Sequence, residues 1–221
     1  MRRVALIDYG SGNLRSAEKA LVRAASGAAE ILVTHDPEAV ARADAVVLPG
    51  VGAFAACMTG LTERTGVIEA MTEAVRGRGA PFLGICVGMQ LLAARGHEFG
   101  VTEGLGWIDG DVRKIAPDDP ALKVPHMGWN QVTKRADAPI LRDIASGTHF
   151  YFVHSYYVRP ADPSIVALSC DYGGPFCAMI WTDNLSATQF HPEKSQADGL
   201  KLLRRFAELP IPHPSTATGN H

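Results

Sequence analysis

The sequence contains few cysteines and no spacing that is typical of a metal site. Its 221 residues include four cysteines, none in a C-x-x-C pair, and eight histidines that form no H-x-x-x-H cluster. A disulfide framework or a zinc site needs closer and more regular spacing. The cysteines therefore predict reduced thiols in a cytoplasmic protein, and neither a metal nor a cofactor is expected.

Long apolar runs and clusters of positive charge are also missing. No apolar stretch reaches the length of a membrane-spanning helix. The N-terminal residues continue into a strand pattern and lack the cleavage site of a signal peptide. The formal net charge is −2, and lysine and arginine form no run. We therefore expect neither a membrane nor a nucleic acid as partner. A P-loop is excluded because no G-x-x-x-x-G-K-[ST] sequence is present.

The first part of the chain alternates short apolar strands with amphipathic helices. Strands are predicted at about 3–7, 29–34, 45–48 and 81–85, and helices at about 14–25, 37–42, 67–78 and 89–94. Continuous apolar strands between helices are typical of a parallel sheet covered on both faces.

The second part contains strand patterns separated by glycine, proline and aspartate turns, before a last helix at about 196–209 with Ser195 as its N-cap. The strands are predicted at 109–114, 131–134, 149–153, 165–170, 175–181 and 185–189. We therefore expect one α/β domain over residues 1–209, with a mixed, mostly parallel sheet to which antiparallel strands are added. A disordered tail is predicted over residues 210–221.

Residues 81–92, PFLGICVGMQLL, have the glycine-x-nucleophile-x-glycine pattern of a nucleophile elbow. A strand that turns sharply into a helix would point Cys86 outward, and Gly84 and Gly88 would avoid a clash of Cβ atoms with neighbouring backbone. The start of the helix would place N–H groups near the sulfur, which favours a thiolate. A structural cysteine between two packing glycines is the alternative.

His191 and Glu193 follow another apolar strand in the segment QFHPE. Two residues apart in an extended segment, their side chains are predicted to point the same way, and Pro192 favours an extended His191. A cysteine nucleophile needs a base and a group that orients the base. Cys86, His191 and Glu193 therefore predict a catalytic triad, with a surface turn remote from Cys86 as the alternative.

Three other segments are open to more than one interpretation. Residues 50–55 read G-x-G-x-x-A, as in dinucleotide-binding proteins, but they do not follow the first strand and Pro49 precedes them. We expect instead a flexible loop beside Cys86 whose N–H groups stabilise an oxyanion, with an ordinary turn as the alternative. The segments PHMGWN (125–130) and HSY (154–156) indicate by chemistry alone only aromatic loops that pack.

Together these segments resemble the class I, triad-type glutamine amidotransferases over about residues 4–209. The elbow and the His-Pro-Glu sequence identify the class. The sequences DYGSGN (8–13), PGVGAF (49–54) and PHMGWN point within it to the glutaminase subunits of imidazole glycerol phosphate synthases. The resemblance implies a flavodoxin-like three-layer fold and hydrolysis of glutamine to glutamate and ammonia.

The resemblance also assigns roles to residues. Cys86 would be the nucleophile, His191 the general base and acid, and Glu193 its orienting partner. The oxyanion hole is expected at Gly50, Val51, Gly52 and Val87, the last standing where leucine is common. The amino and carboxylate groups of glutamine would be bound by Gln90, Glu98, His154, Ser155 and Tyr156. Residues 95–97 depart from the acidic stretch often found before the residue that corresponds to Glu98.

A partner follows from the same resemblance, since this chain is too short for a second catalytic domain. The partner would be the cyclase subunit of histidine biosynthesis, which folds as a (β/α)8 barrel, in a heterodimer with an enclosed passage for ammonia. Its docking face is expected to include Asn13, Trp129, Tyr151 and Lys194. Three alternatives remain: a glutaminase subunit for another acceptor, such as pyridoxal phosphate formation, a non-catalytic binding module, and a cysteine peptidase on the same fold.

Deletion of the tail, residues 210–221, is expected to leave glutaminase activity and partner binding unchanged, because no predicted site residue lies in this segment. Glutamate release and co-purification of the partner with the truncated and full chains would measure this. Loss of the complex on truncation would contradict the prediction.

Overall fold

The computed structural model describes residues 1–10 and 13–210, so the predicted tail lies outside the described residues except for Pro210. The helices are α1 (Leu14–Ala25), α2 (Pro37–Ala41), α3 (Phe54–Thr62), α4 (Val67–Thr72), which a π-helical turn (Glu73–Gly77) extends, α5 (Val87–Gln90) and α6 (Gln196–Glu208). The strands are β1 (Arg2–Ile7), β2 (Ala29–Thr34), β3 (Ala45–Gly50), β4 (Phe82–Cys86), β5 (Ala93–Gly96), β6 (Thr102–Glu103), β7 (Ile108–Lys114), β8 (His126–Lys134), β9 (His149–His154), β10 (Tyr156–Pro160), β11 (Val166–Asp171), β12 (Pro175–Thr182) and β13 (Leu185–Thr188).

Nine strands form the central sheet in the order β2-β1-β3-β4-β13-β12-β11-β8-β9. The neighbouring pairs from β2 to β13 are parallel, and those from β13 to β9 are antiparallel. A second sheet has the order β10-β7-β5-β6. The prediction of a mixed sheet in an α/β fold, with antiparallel strands added to parallel ones, is confirmed.

Helices cover both faces of the parallel half. The chain crosses from β1 to β2 in one direction along the sheet and from β2 to β3 in the other, so right-handed crossovers place α1 and α2 on opposite faces. Helix α6 packs against α1, and α4 packs against α2. Residues 4–7, 45–50 and 82–86 of the strands between these layers are buried. The predicted three-layer arrangement follows.

This topology brings distant parts of the sequence to one edge of the sheet. Strands β3, β4 and β13 are parallel neighbours, and the carboxyl ends of parallel strands meet at the same edge. The residues that end or follow them, the segments 50–52, 86–88 and 189–193, are therefore neighbours in space.

Helix α1 and strand β2 have the bounds predicted from the sequence, but the helix predicted at 89–94 is wrong. Helix α5 ends at Gln90, and the chain enters β5 at Ala93. The carbonyl groups of residues 91–93 accept hydrogen bonds from the backbone of residues 105–108. Pairing with this later segment therefore replaces continued helix.

Two further predictions of local structure are corrected, and one helix was missed. The segment PHMGWN is not a loop, because strand β8 begins at His126 and pairs with both β9 and β11. Helix α3 was not predicted, since its small and mixed residues show no clear apolar stripe. Ser195 precedes α6 but makes no side-chain cap, because its hydroxyl oxygen accepts from the Tyr151 N–H instead.

The elbow lies very close to strand β3, and glycines make this approach possible. A Cβ on Gly88 would overlap the carbonyl oxygen of Leu48, and one on Gly84 would lie 2.7 Å from the carbonyl oxygen of Gly88. A Cβ on Gly50 would lie 2.7 Å from the backbone nitrogen of Gly88. All of these neighbours are backbone atoms, which cannot rotate away.

Gly88→Ala is therefore expected to lower the free energy of unfolding by about 3 kcal/mol or more, the upper range for overpacking a tight core. Urea denaturation would measure it. The matched control is Gly147→Ala, at φ 88° with no atom within 4 Å of the added Cβ. Its expected cost is about 1 kcal/mol, from the positive φ alone. Similar small losses in both variants would contradict the predicted close approach.

Candidate active site

Cys86 lies at the junction of β4 and α5 in a strained backbone conformation. Its φ of 54° and ψ of −108° are rare for a residue with a side chain. Such strain persists only where surrounding structure imposes it, and the glycine contacts described above impose it here. The prediction of a sharp strand-to-helix turn at this residue agrees with the geometry.

His191 and Glu193 form a buried pair beside Cys86. Nδ1 of His191 donates a hydrogen bond to Oε1 of Glu193 at 2.7 Å, and both side chains are 1% exposed. This bond fixes the proton on Nδ1 and directs Nε2 away from the carboxylate. His191 and Cys86 line the same cavity.

The contact between His191 and Glu193 was predicted, but for a reason that is only partly right. His191 is extended, whereas Pro192, Glu193 and Lys194 form a single 3-10 turn. The turn, rather than strand alternation, brings the carboxylate back to the imidazole.

The environment of His191 favours its charged form. Burial lowers the pKa of this histidine, but its interactions with Cys86 and Glu193 outweigh burial and raise the pKa from 6.5 to about 9. An imidazolium beside a cysteine favours the thiolate, which is the reactive form.

Asn13, predicted at the docking face, contacts Glu193 of the predicted triad directly. Its side-chain amide donates a hydrogen bond to Oε1 of Glu193, the same oxygen that accepts from His191. The Asn13 side chain also lines the cavity. Asn13 therefore helps to hold the Glu193 carboxylate in place.

A cavity of about 460 Å³ opens beside Cys86. Most of the residues predicted from the sequence line it, and Pro125 and Val153 complete its wall. The predicted residues in its lining are Asn13, Val51, Gly52, Cys86, Val87, Gln90, Glu98, His154, Ser155, Tyr156, His191 and Lys194. Gly50 lies behind the lining, against the backbone of Gly88.

The loop at 49–52 is held by two side chains that sequence analysis did not identify. The hydroxyl of Tyr9 donates a hydrogen bond to the Pro49 carbonyl at 2.8 Å, and the thiol of Cys57 donates to the Val51 carbonyl at 3.5 Å. Tyr9 stands in DYGSGN and Cys57 on α3, so only the fold brings them to the loop.

Gln90 is held by buried polar groups. Its side-chain Nε2 donates to the Tyr156 carbonyl at 3.0 Å and to Oε1 of Gln189 at 3.1 Å. Nε2 of Gln189 lies 3.6 Å from Sγ of Cys86. Sequence analysis missed Gln189, although it stands two residues before His191 in QFHPE and alternation along the chain could have indicated it.

Glu98 has a structural contact as well as its place in the cavity. Its Oε2 accepts a hydrogen bond from the backbone N–H of Phe54 at 2.7 Å. Helix α3 begins at Phe54, and its N-cap residue Ala53 has no side chain that could cap it. Glu98 therefore caps α3 from a distant part of the chain.

The remaining residues predicted for docking lie together at the surface. The rings of Trp129 and Tyr151 are 6.1 Å apart in an edge-on arrangement, and Nζ of Lys194 lies 6.0 Å from the Tyr151 ring centre. Trp129 is 47% exposed and its neighbour Met127 63% exposed. An exposed aromatic group of this kind is typical of a contact surface.

Two other findings concern the described residues as a whole. Within residues 1–10 and 13–210, no group of three or more histidine, cysteine, aspartate or glutamate side chains could hold a metal ion. No helix in these ranges has the length and apolar character needed to cross a membrane.

Comparison with known proteins agrees with this geometry. The model of the family described as glutamine amidotransferase class-I matches residues 5–209, and the chain belongs to this family. It is therefore an enzyme of the predicted class, a glutamine amidotransferase. Subunit HisH of imidazole glycerol phosphate synthase from Rhodospirillum rubrum is 62% identical over 208 residues, which cover 92% of this chain and 97% of that protein. The same subunit from Caulobacter vibrioides is 56% identical over 211 residues, covering 94% and 99%.

Solved structures share the fold at much lower identity. The crystal structure of a glutamine amidotransferase has a TM-score of 0.69 at 18% identity and covers 93% of this chain and 97% of that one. The crystal structure of a glutamine amidotransferase from Thermotoga maritima has a TM-score of 0.61 at 18% identity, covering 94% of this chain and 81% of that one. These structural similarities show the fold class only.

Glu193→Gln is expected to lower the pKa of His191, since it removes the negative charge that stabilises the imidazolium. A carbon–proton NMR titration of the His191 ring should show a midpoint near 9 in the unchanged chain and a lower one in the variant. The surface variant Glu38→Gln, at a side chain that is 77% exposed, is the control.

The same shift predicts how stability depends on pH. Because the pKa is raised on folding, the imidazolium stabilises the fold below about pH 6.5, and this contribution is lost as pH rises through about 9. The unchanged chain should therefore lose more unfolding free energy between these two values than Glu193→Gln loses. Equal losses and equal midpoints would show that the carboxylate does not set the pKa.

Proposed function

We propose that this chain is the glutaminase subunit of an imidazole glycerol phosphate synthase and supplies ammonia for histidine biosynthesis. The observation that carries the proposal is the buried His191–Glu193 pair beside a strained Cys86 in one cavity. The particular synthase is supported by the names of the two relatives, at 62% and 56% identity over nearly their whole length. The amidotransferase domain would comprise residues 1–209.

The chemistry would use the three side chains in order. The Cys86 thiolate attacks the carboxamide carbon of glutamine, and the His191 imidazolium gives its proton to the leaving nitrogen, so that ammonia departs and a glutamyl thioester remains. A water molecule then attacks the thioester while His191 takes its proton. Glutamate leaves and Cys86 returns to the thiolate. Glu193 keeps the imidazole oriented and supports its charge in both steps.

The oxyanion formed in each attack needs N–H donors close to Cys86. We propose the backbone N–H of Val87 and the backbone of Gly50–Gly52 for this role. The contact of Gly50 with Gly88 supports it, since it keeps this loop against the elbow. The amino and carboxylate groups of glutamine would contact Gln90, Glu98 and the segment 154–156, which line the cavity.

The ammonia would be used by a partner, the cyclase subunit with a (β/α)8 barrel, in a heterodimer. The cluster of exposed Trp129, half-buried Tyr151 and exposed Lys194 supports docking at this face. A partner that covers the cavity would also keep ammonia away from water, where it would be protonated. We further propose that the partner and its nucleotide ligand rotate the glycine-rich loop 50–52 into position.

Glutamate release from glutamine should be measured with this chain alone, with the cyclase barrel, and with the barrel and its nucleotide ligand. We expect a rise of about tenfold or more in the third condition, within the usual range of coupling between sites. Cys86→Ala should abolish release, and Cys177→Ala, which removes a buried thiol elsewhere, should not.

The outcomes separate the parts of the proposal. Full activity of the chain alone would keep the glutaminase and remove the gating by the partner. No release in any condition would overturn the glutaminase assignment and favour a binding module.

A further inference from the structure

His126 is a buried histidine that the proposed chemistry does not use. It is 3% exposed, begins strand β8 and lies opposite His154 in the register of β8 and β9. His154 in turn lines the cavity beside Cys86. A pair of contacting histidines therefore connects strand β8 to the wall of the cavity.

The hydrogen bonds of this pair run in one direction. Nδ1 of His154 lies 2.8 Å from the Tyr156 carbonyl, which can only accept, so this nitrogen carries the proton. Nε2 of a neutral His154 then accepts from Nδ1 of His126 at 3.0 Å. Nε2 of His126 accepts in turn from the side-chain amide of Asn130 at 3.2 Å. Asn130 gives its other proton to the Asp171 carbonyl at 2.9 Å.

Both rings are neutral at physiological pH, as this pattern requires. Burial lowers the pKa of His126 from 6.5 to about 4. Burial, opposed by the hydrogen bond to Tyr156 and assisted by the nearby His126 and His191, lowers the pKa of His154 to about 3. A neutral imidazole has one donor and one acceptor, and each is used here, so only one tautomer of each ring fits.

Aromatic rings hold His126 in this orientation. Tyr172 stacks on it with ring centres 4.1 Å apart, and Phe152 stacks on it at 4.9 Å. The hydroxyl of Tyr172 is itself fixed by a bond to the Lys123 carbonyl at 2.8 Å. The ring of His126 therefore cannot turn without displacing its neighbours.

The chain of bonds ends in the cavity wall. The Tyr156 carbonyl accepts from His154 and also from Gln90 at 3.0 Å, and both donors line the cavity. We propose that His126, held by Asn130, is a positioning residue for glutamine, because its Nδ1–H fixes His154 and thereby the segment 154–156. This inference rests on the proposed function, since it takes the cavity as the glutamine site. It predicts that His126 affects the binding of glutamine much more than the reactivity of Cys86.

Two variants separate the hydrogen bond from the stacking. His126→Asn keeps an amide donor near the position of Nδ1 but has no ring. His126→Phe keeps a ring between Tyr172 and Phe152 but has no donor. Each is made in the full chain, which is treated with a diazoketone analogue of glutamine that alkylates Cys86, and separately with iodoacetamide, which lacks the amino-acid group. Mass spectrometry gives the rate of Cys86 alkylation at each concentration of either reagent.

We expect His126→Phe to raise the half-saturating concentration of the diazoketone about tenfold, the usual effect of leaving one buried acceptor without a partner. The alkylation rate at saturating diazoketone and the rate with iodoacetamide should both stay within about twofold of those of the unchanged chain, since Cys86 and His191 are untouched. His126→Asn should remain within about threefold of the unchanged chain in all three quantities. Nitrogen NMR should show His154 protonated on Nδ1 in all three chains, because the Tyr156 carbonyl that accepts this proton is unchanged. The shift of its Nε2 should indicate an accepted hydrogen bond in the unchanged chain and in His126→Asn, and the loss of that bond in His126→Phe.

Several results would overturn the inference. They are an unchanged half-saturating concentration in His126→Phe, a loss in His126→Asn as large as in His126→Phe, or a His154 proton on Nε2 in the unchanged chain. If His126→Phe does not fold, the inference can still be overturned by two results: weakened diazoketone binding in His126→Asn, or a His154 proton on Nε2 in the unchanged chain. Failure of the proposed function looks different, since Cys86 of the unchanged chain would then react with iodoacetamide but show no saturation with the diazoketone.

Discussion

The close approach of Gly88 to the carbonyl oxygen of Leu48 is the constraint on which the active site depends. It joins the start of α5 to the end of β3 by direct backbone contact, without an intervening side chain. Cys86, two residues earlier, takes its strained conformation from this contact and from the one between Gly84 and Gly88. The same contact holds Gly50 against the elbow. The proposed nucleophile and the loop proposed to form the oxyanion hole are therefore set by one junction of the sheet.

The antiparallel half of the sheet positions His191, which lies outside the backbone pairing of the elbow strand β4. Strand β9 reaches His191 through the backbone, because the His191 N–H donates to the Tyr151 carbonyl at 2.9 Å. The hydroxyl of Ser195 completes the link, accepting from the Tyr151 N–H at 3.0 Å and donating to the His191 carbonyl at 2.6 Å. The strand that carries the half-buried Tyr151 is thus bonded directly to the segment that carries His191, the proposed base.

The sequence was sufficient for features that depend on local pattern. The bounds of α1 and β2, the glycines around Cys86 and the contact of His191 with Glu193 all follow from residue types and short spacings. It was insufficient where contacts join distant segments. Gln189 meets Cys86 only because β13 lies beside β4, and Ser195 was assigned to a helix cap although strand β9 offers its hydroxyl a better partner. Helix α5 is short because a later segment bonds the carbonyl groups of residues 91–93, which follow it, and no local pattern indicates this pairing.

The two sides of the cavity differ in stiffness. Cys86 is fixed by contacts between backbone atoms, which resist displacement steeply because they are already at van der Waals distance. On the other side of the cavity β3 ends at Gly50, and the Val51 carbonyl after it accepts a hydrogen bond from the thiol of Cys57, which is a weak donor. Residues 51–52, which lie beyond the paired part of β3, should therefore be easier to displace than the sulfur of Cys86. Such a site can be adjusted by changing where the backbone N–H groups of residues 51–52 lie, while the sulfur of Cys86 keeps its place.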